Sequence, residues 1–124
     1  MKKHSKLSVW QESVELAALT EELTLKLTNH PHLRAALSRQ SYLPAILIAE
    51  AADGRPTEEF INKLLDALNA IRKLDVLFSI GEQLEVFSRA NRYDLDKQMK
   101  LVVELAHEKI INLKGHNARK VRIV

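Results

Sequence analysis

The sequence predicts an all-α protein that folds as a single up-down-up-down four-helix bundle. The chain has 124 residues, which is enough for one domain with its own hydrophobic core. Hydrophobic residues make up 46% of it, while Gly and Pro number only three each, so a disordered or turn-rich chain is not expected. Apolar residues recur at spacings of three and four, and the alternating β-branched runs of strands are absent. Short loops between four such segments favour a bundle over 1–124.

The first helix is predicted from about Val9 to Thr28. Ser8 and Gln11 have the spacing of a capping box, in which each side chain binds the other residue's backbone N–H. One stripe on a helical wheel comprises Val9, Leu16, Leu19, Leu23 and Leu27. A second stripe beside it comprises Trp10, Val14, Ala17, Ala18 and Leu25. Two stripes imply burial on two sides, either deep in the bundle or against another subunit.

The second helix is predicted over roughly Leu33–Ala52, after a loop at 29–32 in which Pro31 either stops the first helix or opens the second. Its predicted core side is Leu33, Ala36, Leu37, Leu47, Ile48 and Ala51. Pro44 lies inside this segment. Proline lacks the backbone N–H and clashes with the preceding turn, so we expect a kink near 40–44 or, alternatively, two shorter helices.

The third segment, Thr57–Phe87, is the longest and contains no proline. It follows a predicted turn at Asp53–Pro56, and Glu58 and Glu59 suit the first turn of a helix. Its main stripe is Phe60, Leu64, Ala67, Ile71, Leu74, Phe78 and Gly81, continued by Leu77, Ile80, Leu84 and Phe87. This stripe is expected to face the other three helices, and Gly81 should mark a close approach or a slight bend.

The fourth helix is predicted over about Leu95–Leu113. The connection before it is 88–93, Asp94 is a suitable N-cap, and Gly115 is the expected residue just beyond the C-terminus. Its predicted core face is Met99, Val102, Val103, Ala106, Ile110 and Leu113. A basic tail follows.

The charge is distributed unevenly along the chain. Net charge is +3, but residues 1–6 and 114–124 contain seven of the 19 basic residues and none of the 16 acids. The body therefore carries −4 and the two ends +7. Contacts with a polyanion are accordingly expected at the ends, through Lys2, Lys3, Lys6, Lys114, Arg119, Lys120 and Arg122. Arg89 and Arg92, near Tyr93, are second candidates. The alternative is that basic ends only aid solubility.

No residue pattern indicates an enzyme. The chain has no cysteine, which excludes thiolate metal sites and a Cys nucleophile. Glu104 and His107 form one half of a di-iron carboxylate motif, but no second Glu-x-x-His is present, so a surface pair is favoured. His30 and His32 in a loop, and Glu50 and Asp53 at a helix end, are interpreted as exposed polar residues. We therefore expect no catalytic residue, no metal and no cofactor.

Compartment and membrane association follow from composition. The basic residues at 1–6 are followed by an acid-containing segment, which is not a signal peptide. No uncharged run reaches the eighteen or so residues of a membrane span. A cytoplasmic protein without membrane association is the expectation.

Four short motifs are distinctive: Leu7–Gln11, Pro44–Glu50, Gly54-Arg55 and Glu59-Phe60. They resemble motifs of one family of small bacterial four-helix-bundle proteins, those encoded in 23S rRNA intervening sequences. The region from Leu74 through Leu113, with Tyr93, is similar to the related accessory variability determinants of diversity-generating retroelements. The resemblance implies a homopentameric barrel whose retroelement members bind a reverse transcriptase and its template RNA through a basic surface.

The leading hypothesis is a non-enzymatic, oligomeric accessory protein that binds nucleic acid, RNA or DNA, through the basic residues named above. The resemblance adds a homopentamer and a reverse transcriptase as a partner. The residues expected to form the oligomer interface are Val9, Trp10, Val14, Ala17 and Leu25. The alternative is a structural or protein-interaction scaffold that does not bind nucleic acid.

Overall fold

The computed structural model describes the backbone of residues 3–53 and 56–123 and the side chains of residues 4–53 and 56–115. Within these ranges the regular structure is entirely helical. A short 3-10 helix, Lys3–Lys6, precedes four α-helices. These are α1, Ser8–Thr24; α2, Pro31–Ala51; α3, Thr57–Gln83; and α4, Arg89–Ile123.

The four helices form the predicted up-down-up-down bundle. Each helix packs against the next one in the chain, and α4 closes the arrangement against α1. The contact between α2 and α3 is the most extensive and the contact between α3 and α4 the least. The bundle therefore has two ends and four lateral faces on which exposed side chains can form a site.

The core confirms the predicted stripes. Leu16, Leu37, Leu74 and Phe78 are fully buried, and burial of each such side chain contributes roughly 1.5–3 kcal/mol. Other core residues taken from the predicted faces are Val9, Leu33, Ile48, Leu64, Ile71, Met99, Val102, Ala106 and Ile110. The 3.6-residue period was thus sufficient to identify the core-facing residues in the central part of each of the four helices.

Four buried hydroxyl groups accompany this core and are satisfied locally. The hydroxyl groups of Ser13 and Thr20 donate to the carbonyl oxygens four residues earlier, at 2.7 and 2.8 Å. Those of Thr24 and Ser41 donate to carbonyl oxygens three residues earlier, at 2.7 and 2.9 Å. Because each hydroxyl has a backbone acceptor, these small polar side chains are buried without an unpaired donor.

The start of α1 differs from the predicted capping box. Leu7, not Ser8, occupies the N-cap position, and it makes no side-chain cap. The Gln11 side-chain amide instead donates to the carbonyl oxygen of Ser5 at 3.0 Å. The 3-10 helix causes this change, because it brings the Ser5 carbonyl within reach of Gln11. The helix also ends earlier than predicted, at Thr24, although Leu27 beyond it is buried.

Both prolines of α2 lie inside the helix bounds. Pro31 occupies the first turn, so it opens α2 and does not merely stop α1. Pro44 is buried within a helix that continues to Ala51, which excludes the alternative of two shorter helices. A kink near 40–44 stays a prediction.

The end of α3 is closed by a Schellman motif. The N–H of Val86 donates to the Gly81 carbonyl and that of Glu85 to the Glu82 carbonyl, both at 3.0 Å. Glu85 adopts the left-handed conformation with φ of 58°. The turn folds the ring of Phe87 back onto Gly81, where an added Cβ would clash with Phe87 Cε2. The predicted close approach at Gly81 is therefore confirmed.

The continuation of the α3 stripe was predicted wrongly. Ile80 and Leu84 are exposed, and only Leu77 and Phe87 pack against the core as partly buried side chains. The reason is that α3 has apolar residues on two faces near its C-terminus, and spacing alone does not tell which face is inward.

The bounds of α4 are also corrected. The helix begins at Arg89, and Ser88 accepts the backbone N–H of Asn91 on its side-chain oxygen at 3.0 Å, so Ser88 caps it in place of Asp94. The predicted loop at 88–93 is mostly the first turns of the helix. At the other end α4 runs through Gly115 to Ile123, so Gly115 is a helix residue and not the terminating one.

Candidate nucleic-acid interface

The bundle brings the start of the chain and the last turns of α4 to the same end. Lys6, Leu7 and Ser8 line a surface cavity of about 230 Å³ whose opposite wall is Lys109 and Asn112. This follows from the antiparallel packing of α1 and α4. We call this end the terminal end, defined by residues 3–8 and 105–123.

Three lysines with described side chains lie at the terminal end. Lys6 and Lys114 are exposed, and the half-buried Lys109 places Nζ 5.6 Å from the centre of the Phe60 ring. An ammonium group over an aromatic face gains about 0.5–1 kcal/mol while its charge stays near the surface. Glu108 lines the same cavity and is the acid nearest these lysines among the lining residues.

For the remaining basic residues at the two ends of the chain, the structure describes at most the backbone. Lys3 begins the 3-10 helix, and Arg119, Lys120 and Arg122 belong to α4, but their side chains lie outside the described residues, as does the whole of Lys2. Because α4 stays helical to Ile123, its backbone continues roughly 16 Å beyond Asn112 at about 1.5 Å per residue. The basic tail is therefore helical backbone, not the irregular segment that the predicted Gly115 terminus implied.

Arg92 is corrected from a nucleic-acid ligand to a structural residue. Its side chain is only 16% exposed and lies at the opposite end of the bundle, near the turn between α3 and α4. Nη2 is 2.6 Å from Asp75 Oδ1, and Nε is 3.1 Å from Glu82 Oε1 and 3.2 Å from Asp96 Oδ1. The guanidinium also lies 5.6 Å from the centre of the Phe78 ring. Three carboxylates therefore surround this charge within the fold, while Nη1 is buried without a hydrogen-bond partner among the described residues.

The acidic partners of Arg92 could not be found from the sequence. Asp75 and Glu82 lie in α3, ten or more positions away along the chain. Only the antiparallel packing of α3 on α4 brings them to Arg92. The one local signal was Asp96, which follows Arg92 at the i,i+4 spacing of helical ion pairs.

Arg89, the other second candidate, is exposed at the first position of α4. It lies at the opposite end of the bundle from Lys6 and Lys114. The structure therefore does not bring Arg89 together with the basic chain ends.

The residues expected at an oligomer interface divide into two groups. Val9 and Ala17 are buried in the core of the single chain, so they are corrected from interface to core. Trp10 is half-buried, with the His4 ring 4.7 Å away in an edge-on contact. Val14 and Leu25 are exposed. An assembly surface on α1 therefore depends on Val14 and Leu25.

A hydrogen bond joins the outer surfaces of α1 and α2 beside these residues. It links the Tyr42 hydroxyl to the Glu21 carboxylate and raises the pKa of Tyr42 above its usual value. Tyr42 is 45% exposed, so this is a surface contact.

The enzyme-like residue pairs do not form a metal site. Glu104 and His107 are exposed on α4, and Glu50 is paired with Lys63 at 3.5 Å. Within residues 4–53 and 56–115, no three His, Asp or Glu side chains are grouped so that they could hold a metal ion. Among the described helices, none combines the length and the apolar character needed to cross a membrane.

Comparison of the chain with models of protein families and with curated proteins gave no match.

Proposed function

We propose that this protein is a non-enzymatic four-helix bundle that assembles with copies of itself and binds nucleic acid, RNA foremost, at the terminal end. The observation that carries the proposal is the meeting of both chain ends at one end of the bundle. Two basic segments that are separated by more than a hundred residues thereby start from the same end of the bundle.

The electrostatic argument is the contrast between body and ends. The ends carry a formal +7 and the body −4. The basic ends of the chain then attract a polyanion, and the net negative body repels it. Non-specific binding of this kind depends on the release of counterions from the phosphates, so it weakens steeply as salt is raised.

The resemblance described above supports two further parts of the proposal. These are a homopentameric assembly and a reverse transcriptase as protein partner, and the assembly rests also on the exposed residues Val14 and Leu25 of α1. A cytoplasmic location is part of the proposal as well, and it rests on the composition of the chain.

The test is a salt titration of binding to a fluorescent single-stranded RNA, measured by anisotropy, with a duplex DNA of the same length in parallel. One variant replaces Lys2, Lys3, Lys6, Lys114, Arg119, Lys120 and Arg122 with Gln in the full-length chain. We expect a log–log salt slope of about −0.7 per phosphate contact with RNA for the parent, and loss of nearly all of that slope in the variant.

The matched control replaces Arg72 and Lys100 with Gln, which removes two exposed cations from the lateral surface. Its affinity should stay within about threefold of the parent, because removing rim charges changes binding only slightly. Unchanged binding by the seven-residue variant would refute the role of the terminal end.

A structural or protein-interaction scaffold is the second candidate function. The observation that favours it is the exposed apolar surface of Val76, Ile80 and Leu84 on α3. Absence of nucleic-acid binding even at low salt would select this candidate.

A further inference from the structure

The C-terminal half of α3 has an apolar ridge that faces away from the core. Val76 is 58% exposed, Ile80 44% and Leu84 47%. They follow one another at intervals of four residues, so they lie along one side of the helix. Three large apolar side chains exposed in a row are unusual for a surface that faces only water.

A groove between α2 and α3 lies beside this ridge and is flanked by positive charge. Its cavity is about 350 Å³, and it is lined by Ala36, Arg39, Gln40, Lys73, Val76 and Leu77. None of these residues is acidic. The Gln40 amide is already engaged, because it donates to the carbonyl oxygen of Ala70 at 3.1 Å.

The two cations of this groove differ from Arg92. Arg39 and Lys73 are exposed, and neither has an ion-pair partner in the part of the chain that the structure describes. An occupant of the groove should therefore present apolar side chains together with carboxylates.

The outer side of α1 presents both apolar side chains and carboxylates. Val14 is 39% exposed and Leu25 64%, and Ala18 is exposed between them. Glu15 and Glu22 are exposed along the same helix, one on each side of Ala18 in sequence. We call these five residues the α1 ridge.

We propose that the α1 ridge of one copy docks into the α2–α3 groove of the next copy. Apolar side chains then cover Val76 and Leu77, while Glu15 and Glu22 approach Arg39 and Lys73. This rests on the proposed self-assembly and assigns the two surfaces that produce it. Helices associate by fitting rows of side chains on one helix between the rows of another, so the exposed row on α1 is a suitable packing surface.

The pairing joins two different surfaces, so it is heterologous. Each copy keeps one free ridge and one free groove until the assembly closes. A closed ring or an open filament follows, whereas a symmetric dimer requires one surface to pair with itself.

The experiment measures molar mass by light scattering after size exclusion, at several protein concentrations. Arg39→Glu with Lys73→Glu reverses the charge of the α2–α3 groove, and Glu15→Lys with Glu22→Lys reverses the charge of the α1 ridge. We expect each double variant to be monomeric where the parent is oligomeric, with circular dichroism unchanged. Mixing the two variants should restore assembly, because the intact ridge of one fits the intact groove of the other and the reversed ridge fits the reversed groove.

The quadruple variant with all four charges reversed should regain the parent's mass. Arg72→Glu with Lys100→Glu, on the α3–α4 face, is the matched control and should assemble like the parent. A parent that assembles equally well after both double substitutions would overturn the pairing but leave self-assembly standing. A monomeric parent at all concentrations overturns both, while the anisotropy titration still reports nucleic-acid binding separately.

Discussion

The two ends of this bundle use their positive charges in different ways. At the α3–α4 turn, Arg92 is held by Asp75, Glu82 and Asp96 and is largely removed from solvent. At the terminal end, Lys6 and Lys114 are exposed to solvent. The number of basic residues at an end therefore says little about binding, because charge that is already paired within the fold cannot serve a ligand.

The strongest test of this contrast is Arg92→Ala. It leaves three carboxylates close together without a counter-charge and removes the cation from the Phe78 face. We expect the free energy of unfolding to fall by about 1.5–3 kcal/mol, the range for hydrogen bonds to charged groups. Urea denaturation checks this. The matched control is Arg89→Ala, three residues earlier and exposed, which should change stability by less than about 0.5 kcal/mol. Equal effects of the two substitutions would contradict the structural role of Arg92.

The next test concerns the contact between Gly81 and the Phe87 ring at the α3–α4 turn. Gly81→Ala would place a Cβ in steric conflict with Cε2 of the Phe87 ring, so the ring must move. Overpacking of this kind costs about 1–3 kcal/mol, although alanine is the better helix former by about 1 kcal/mol. We expect net destabilisation, measured by thermal and urea unfolding.

A double-mutant cycle with Phe87→Leu separates the clash from other effects of Gly81→Ala. If the ring is the obstacle, Gly81→Ala should be less harmful in the chain that already carries Phe87→Leu. A cost that stays the same in both backgrounds would contradict the contact as its cause.

A smaller effect of opposite sign is expected at Glu85. Its positive φ of 58° is a conformation that glycine adopts more easily than a residue with a Cβ. Glu85→Gly should therefore raise the free energy of unfolding, measured in urea, by about 0.5–1 kcal/mol. Gln83→Gly is the contrasting control, since this exposed neighbour lies inside α3, where a change to glycine should destabilise the protein. Destabilisation by Glu85→Gly would exclude the left-handed turn.

A second stabilising effect, confined to the last turns of α4, is expected at the terminal end. Gly115 lies within α4, and an added Cβ meets nothing within 4 Å. Gly115→Ala should increase the helical signal in circular dichroism and stabilise the last turns by about 0.5–1 kcal/mol. If the helix instead ended before Gly115, as its sequence position suggested, the same change would remove a favourable cap and lower helicity.

Much of the architecture was predictable because it depends on local spacing. Leu37, Leu74 and Val102 could be assigned to the core from periodicity, and the four segments follow from it. The turn chemistry was less predictable. Glu85 gives no sign of a left-handed conformation, and Ser88 was overlooked as a cap because Asp94 offered an equally suitable side chain. Several residues often satisfy the same local preference, and packing selects among them.

The candidate site shows the same division. Sequence alone established the helical class, the number of helices, the absence of cysteine and the concentration of basic residues in the two chain ends. The packing of the helices determined that the two ends of the chain come to the same end of the bundle. It also determined that Arg92 forms ion pairs with carboxylates inside the fold. It also determined that Val9 and Ala17 face inward whereas Val76, Ile80 and Leu84 face outward. The physical reason is that helical periodicity is a property of neighbours along the chain, whereas charge pairing and the direction of a face depend on which helices the fold places beside them.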